Sequence, residues 1–256
     1  FSSDFKLGIL GGGQLGKMML TETRKFDIQT YVVDPSSEAP CQFGATKFFQ
    51  GSLNDYQTVM DLGNQVDVLT IEIENVNLEA LEALEAAGKK VYPSPKTLRL
   101  ISNKGNQKDF YIQHNVPTAP YKRFATLQAL KDEVNKGNIE MPFVWKATEG
   151  GYDGNGVKVV RKMEDLDTLP ETECIAETMI PFKNELAVIV ARSASGEIKT
   201  YPVVEMEFHP EANQVEYVIC PARIDETVAN NAREIALKVS EAYNHVGLLA
   251  VEMFQT

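Results

Sequence analysis

The chain has 256 residues, 36 acidic against 25 basic side chains, a formal net charge of -11, and 43% apolar positions, a globular composition long enough for two or more modules. The acidity works against the many phosphate-backbone contacts of a non-specific nucleic-acid binder. Cys41, Cys174 and Cys220 lack any CxxC spacing, which argues against a zinc site or disulfide framework, and the longest charge-free stretches are too short to span a bilayer, with no leader ahead of them, so a cytoplasmic protein without membrane or nucleic-acid partners is expected.

From Lys6 the chain alternates strand and helix patterns: Lys6–Leu10, a helix over Gln14–Arg24, and Ile28–Val33. The alternation continues through Lys47–Gln50, a helix near Tyr56–Gly63, Val66–Ile71, a helix over Leu78–Ala87 closed by Gly88, and Val91-Tyr92. Such alternation predicts a parallel sheet covered on both faces. After Pro93 and Pro95 one helical stretch, Thr97–His114, marks the first boundary. A small α+β module is expected next: strand Tyr121–Phe124, helix Leu127–Lys136, strands Pro142–Lys146 and Val157–Val160 around a glycine-rich segment, a short helix near Glu164–Leu169, and strand Cys174–Glu177. Leu186–Arg192, Ile198–Val204 and Val215–Ile219 predict an antiparallel meander. Asp225 then caps a helix with apolar positions Val228, Ala232, Ile235, Val239 and Tyr243, and Gly247–Phe254 is the last strand. A buried strand ending a chain predicts that further sequence follows in the natural product.

Two glycine turns carry the chemical signal. Gly11-Gly12-Gly13-Gln14-Leu15-Gly16 satisfies GxGxxG between a strand and a helix, with Asp34 at the end of the next strand. Its glycines allow a tight turn and let N–H groups approach a phosphate; close packing alone would explain them too. Lys146 followed by Gly150, Gly151, Gly154 and Gly156 is the second: backbone donors over a polyphosphate with a lysine charge beside them, or simply a hairpin with a flexible tip. Glu252 interrupts an apolar strand, which suits a cation or an outward-facing position. Glu72 and Glu74 are placed on one face at a strand's C-terminal end, where open α/β sheets bind ligands. His114, His209 and His245 show no metal-binding spacing, and no nucleophile elbow is present. Taken alone, GxGxxG and Asp34 fit an NAD-dependent oxidoreductase; a non-catalytic nucleotide-binding fragment is the third reading.

Gly8–Met19, Val33-Asp34-Pro35, Gly150–Gly156 and Val251–Phe254, in this order and spacing, resemble the N5-carboxyaminoimidazole ribonucleotide synthetases, ATP-grasp ligases of purine synthesis, from Lys6 to the end of the chain. The resemblance implies a mixed α/β and α+β chain: a Rossmann-like pre-ATP-grasp domain (1–96), a helical linker (97–118), an ATP-grasp lid (119–180) and an ATP-grasp C domain (181–256) incomplete at its C-terminal end. It implies ATP and Mg²⁺, 5-aminoimidazole ribonucleotide and bicarbonate as substrates, and a homodimer. ATP contacts are implied for Lys104, Lys146, Gly151, Tyr152, Asp153, Gly154, Asn155, Gly156, Val157, Glu177, Thr178, Met179, Ile180, Glu185 and His209. Gly13, Gln14, Leu15, Glu74, Tyr152 and Asp153 would face the ribonucleotide, with Tyr152 and Asp153 catalytic, and Glu252 would be the first metal carboxylate, the second lying beyond this chain. Lys104 and Asn155 stand where relatives often carry arginine, which for Lys104 keeps charge but loses a bidentate fork.

Overall fold

The computed structural model describes residues 4–151, 156–209 and 215–256. It divides into two compact units, Phe1–Arg99 and Leu100–Thr256. In the first, strands β1 (Lys6–Leu10), β2 (Gln29–Asp34), β3 (Lys47–Gln50), β4 (Val68–Ile71) and β5 (Lys90–Tyr92) form one sheet in the order β3-β2-β1-β4-β5, with parallel pairing throughout. The apolar run of the central strand explains its position: Ile9 and Leu10 are fully buried, as a strand covered on both faces requires. Helices α1 (Gln14–Thr23), α2 (Tyr56–Gln65) and α3 (Leu78–Ala86) make the crossovers. Their starts follow from capping: Asp55 accepts from the Thr58 N–H at 2.8 Å and Asn77 from the Ala80 N–H at 2.8 Å, each satisfying a donor that a helix terminus otherwise leaves open.

The expected single helix over Thr97–His114 is two, α4 (Pro95–Ile101) and α5 (Lys104–Gln113). Asn103 is the cause. Extended at φ -117°, it accepts from the Asn106 N–H at 2.9 Å and starts a new helix.

The second unit holds two sheets. Strands β6 (Tyr121–Phe124), β7 (Phe143–Ala147), β8 (Val157–Val160) and β9 (Cys174–Thr178) form an antiparallel sheet in the order β6-β9-β7-β8. Helix α6 (Leu127–Asn135) covers it, its Leu127, Leu130 and Val134 packing with Phe143, Trp145 and Leu166. The short helix expected near Glu164 is a 3₁₀ turn, Met163–Thr168.

In the other sheet, β10 (Asn184–Arg192) is central: β14 (Gly247–Gln255) pairs with it along one edge over its full length, and β11 (Ile198–Thr200) and β12 (Val204–Phe208) share the other, with β13 (Val215–Ile219) outside β12. The strand expected over Ile198–Val204 is therefore broken, because Pro202 has no N–H to give the ladder. Helix α7 (Glu226–Tyr243) lies on one face of this sheet. Its most buried line is Ala229, Ala232, Ala236 and Val239, with Val228, Ile235 and Tyr243 flanking it. Small side chains on that line let the helix pack against Leu186, Val188, Val190 and Val251. Helix α5 ties the two sheets together: Phe110 stacks on Tyr243 of α7 at 4.8 Å between ring centroids, while Asp109 pairs with Arg123 of β6 at 2.6 Å.

Candidate functional site

The glycine-rich segment after Lys146 is the connection of a β-hairpin. Lys146 on β7 pairs with Val157 on β8, and the Ala147 N–H donates to Gly156 at 2.9 Å. The start of α5 is fastened to that connection. The Lys104 N–H donates to the Thr148 carbonyl at 2.8 Å, the Lys104 ammonium to the Gly151 carbonyl at 3.4 Å, and the Asn103 amide to Glu149 at 3.0 Å.

One helical turn along α5, Lys108 projects on the same side as Lys104. The carboxylate of Glu177, on β9, is shared between Lys108 and Lys146, one oxygen to each. Cross-strand register puts it there: Ala176 opposes Trp145 and Glu177 opposes Val144 on the neighbouring strand. Burial pushes the Glu177 carboxyl up, but Lys146 and Lys108 outweigh it and hold the group below the usual carboxylate range. Burial lowers Lys104, and the like charge of Lys146 lowers it further. Lys108 is lowered by burial against the opposing pull of Glu177. Two lysines thus share one carboxylate beside a glycine hairpin, with Lys104 a third positive charge next to Lys146, leaving an excess of positive charge in a partly buried place. An anion is the chemical complement of that arrangement.

A second pair of charged groups lies on the face of the β10–β14 sheet that α7 leaves uncovered. Ala187 pairs with Glu252, and Glu185 lies two residues before Ala187, so both carboxylates share that face. Burial raises the Glu185 carboxyl, and the charge of Glu252 raises it further. Glu252 itself is exposed, so its position in an apolar strand carries no desolvation cost.

The first glycine turn has a different lining. Gly11 adopts φ +102°, open to glycine at no steric cost. A Cβ on Gly13 would stand 2.6 Å from Oε1 of Glu72. The Gly12 N–H donates to Asp34 at 2.8 Å, and Asp34 also accepts from the Ser36 N–H at 2.8 Å. Asp34 is therefore occupied in holding the turn, and a second carboxylate lies against the glycines where a dinucleotide would need a site for its pyrophosphate. The oxidoreductase reading thereby loses its acidic residue, Asp34, to internal structure. Glu72 and Glu74, expected at the end of a strand, lie beyond β4, which stops at Ile71.

Residues 109–256 match the ATP-grasp domain family, and residues 5–102 match the ribonucleotide synthetase pre-ATP-grasp domain family. The chain belongs to the ATP-grasp family. It is 35% identical over 255 residues to the N5-carboxyaminoimidazole ribonucleotide synthase of Bacillus subtilis, covering 98% of this chain and 66% of that one. The N5-carboxyaminoimidazole ribonucleotide synthetase of Thermotoga maritima superposes with a TM-score of 0.87 at 37% identity, over 98% of this chain and 64% of the other. An Aspergillus clavatus N5-carboxyaminoimidazole synthase, solved with ADP and 5-aminoimidazole ribonucleotide, gives 0.88 at 31%, over 98% and 66%. The chain spans about two thirds of the length of each.

The ATP-grasp unit brings Lys104, Lys146, Gly151, Gly156 and Glu177 to the base of one hairpin. Val157 opens β8, Thr178 ends β9, and Met179 and Ile180 follow it. His209 directly follows β12. Tyr152, Asp153, Gly154 and Asn155 lie outside the described residues. Gly13, Gln14, Leu15 and Glu74 belong to the pre-ATP-grasp unit, Gly13 as the residue that caps α1 and Gln14 and Leu15 as its exposed first turn. Lys108 was not anticipated. Its spacing of four from Lys104 put it on the same face of a predicted helix, but its partner Glu177 is 69 residues away.

Proposed function

We propose that this chain is the nucleotide-binding portion of an ATP-dependent ligase that carboxylates 5-aminoimidazole ribonucleotide with bicarbonate. In this reading the γ-phosphoryl group of ATP passes to bicarbonate, and the exocyclic amine of the ribonucleotide attacks the carboxyl carbon of the resulting carboxyphosphate, releasing phosphate and forming N5-carboxyaminoimidazole ribonucleotide. Phosphoryl transfer of this kind rests on positioning and charge stabilisation, and the observation that carries the reading is the pairing of Lys108 and Lys146 with Glu177, and of Lys104 with the Gly151 carbonyl, at the foot of the glycine hairpin.

Lys146 and Lys104 would hold phosphate oxygens, with backbone donors of Gly151 to Val157 closing over them. Glu177 to Ile180 would line the adenine and the hinge, Glu185 the ribose, and His209 another part of the nucleotide site. Tyr152 and Asp153 would meet the carboxylation chemistry, and Gly13, Gln14, Leu15 and Glu74 the ribonucleotide. Glu252, with Glu185 on the same face and the two repelling one another, fits a divalent cation that relieves that repulsion. Mg²⁺ would be held by Glu252 together with oxygens of the triphosphate. When bound it screens charge on the transferring phosphoryl group.

The lid at 119–180 and the C domain at 181–256, a homodimer, and a cytoplasmic location belong to the same proposal. No helix among the described residues is long and apolar enough to cross a membrane. The test is ADP formation: the reading expects it to require both bicarbonate and 5-aminoimidazole ribonucleotide, and ADP release indifferent to the ribonucleotide would overturn it.

A further inference from the structure

Glu177 is held between two lysines that differ in how firmly they are placed. The Lys108 side chain is 12% exposed and that of Lys146 25% exposed, against 8% for Glu177. Lys108 has other anchors: its ammonium donates to the Thr118 hydroxyl at 2.6 Å and lies 5.9 Å from the centroid of the Tyr121 ring. Lys146, the more open of the two, sits at the end of β7 next to the hairpin and close enough to Lys104 for their charges to repel. A phosphate reaching this place competes with Glu177 for Lys146. If Lys146 were the only partner of Glu177, its departure would strand a carboxylate in a buried position without a counter-charge, which is strongly unfavourable.

We propose that Lys108 is a positioning residue that neutralises Glu177, so that Lys146 can exchange the carboxylate for a nucleotide phosphate. The inference rests on the reading of this hairpin as the nucleotide site and adds a role for a residue that need not touch the nucleotide. Without Lys108 the carboxylate keeps Lys146, and phosphate binding must first break a buried ion pair. With Lys108 present, Glu177 keeps one partner whichever way Lys146 points.

Calorimetric titration of the whole chain with MgATP tests this in a four-variant cycle. Lys108→Met is expected to weaken MgATP binding about tenfold or more, the scale set by a buried charge left with one partner removed. In a Glu177→Gln background, where no carboxylate traps Lys146, the same substitution is expected to change affinity by less than about threefold, because the coupling between the two sites has gone. Lys108→Arg keeps the charge and is expected to restore most of the binding. Should Lys108→Met fail to fold, Lys108→Gln, which retains a donor for Glu177, is compared across the same two backgrounds. A Lys108→Met chain that binds MgATP like the unaltered protein overturns the proposal while leaving the nucleotide reading in place, as does an equal loss in both backgrounds, which a merely structural role would give. Failure of the unaltered chain to bind MgATP overturns the nucleotide reading, and this proposal with it.

Discussion

The two glycine turns of this protein are built from the same residue type and surrounded by opposite charge. At the first, the Asp34 carboxylate takes the Gly12 N–H, and the Glu72 side chain lies against Gly11 and Gly13. At the second, Lys104, Lys108 and Lys146 stand at the base of the hairpin, with Glu177 paired to Lys108 and Lys146. Glycine lets a backbone turn tightly or be approached closely, and this freedom has no sign. Neighbouring side chains decide whether the donors are spent internally or offered to an anion, and most of those neighbours come from other elements, Asp34 from β2 and Lys104 and Lys108 from α5.

The largest expected effect is at the second turn. Lys146→Ala should weaken MgATP binding about ten- to hundredfold, the loss of a charged hydrogen bond worth about 1.5–3 kcal/mol, with the far-ultraviolet circular dichroism unchanged; an affinity equal to that of the unaltered chain would erase the contrast between the turns. Gly11→Ala puts a side chain at φ +102°, with its Cβ 3.0 Å from the Cβ of Glu72, and should destabilise the first unit by about 1–3 kcal/mol in urea unfolding, leaving MgATP affinity within twofold or so of its starting value. Asp34→Ala removes the acceptor of the Gly12 N–H and should cost about 1 kcal/mol in the same assay; gain of NADH binding in that variant would mean that the carboxylate merely masks a dinucleotide site.

Two pH effects complete the series. Glu177 has a folded-state pKa below its unfolded value near 4.5, so its contribution to stability is present above that value and is lost as pH falls through the lower, folded one. Glu177→Gln should flatten this acid limb of an unfolding profile. Glu185 shows the opposite sign: its pKa is raised in the folded chain by burial and by Glu252, so stability falls as pH rises from about 4.5 through the raised value. Glu252→Gln should shrink that fall, and a carbon-detected titration of the Glu185 carboxyl that does not move in the variant would remove Glu252 as a cause.

Much of the fold was legible because local patterns carried it. Lys47–Gln50, Tyr121–Phe124, Val157–Val160 and Val215–Ile219 are strands over the same residues that alternation and turn signals mark. Single residues with a local effect produced the departures: Asn103 capped a helix inside a helical stretch, and Pro202 broke a strand by withholding its N–H. At the site, the glycines and Lys146 could be picked out by spacing, whereas the meaning of their surroundings could not. Asp34 looked like a ligand-binding acid because it ends a strand after GxGxxG, yet its oxygens serve Gly12 and Ser36. Lys108 looked like one of many helix lysines because its importance lies in a carboxylate brought to it by the β9–β7 register.

The central claim is that the lysine-lined hairpin, and not the carboxylate-lined turn, receives the nucleotide. Parallel calorimetric titrations of the chain with MgATP and with NADH test it most directly. Saturable heat with MgATP and none with NADH is the result this account predicts; binding of NADH without MgATP would contradict it.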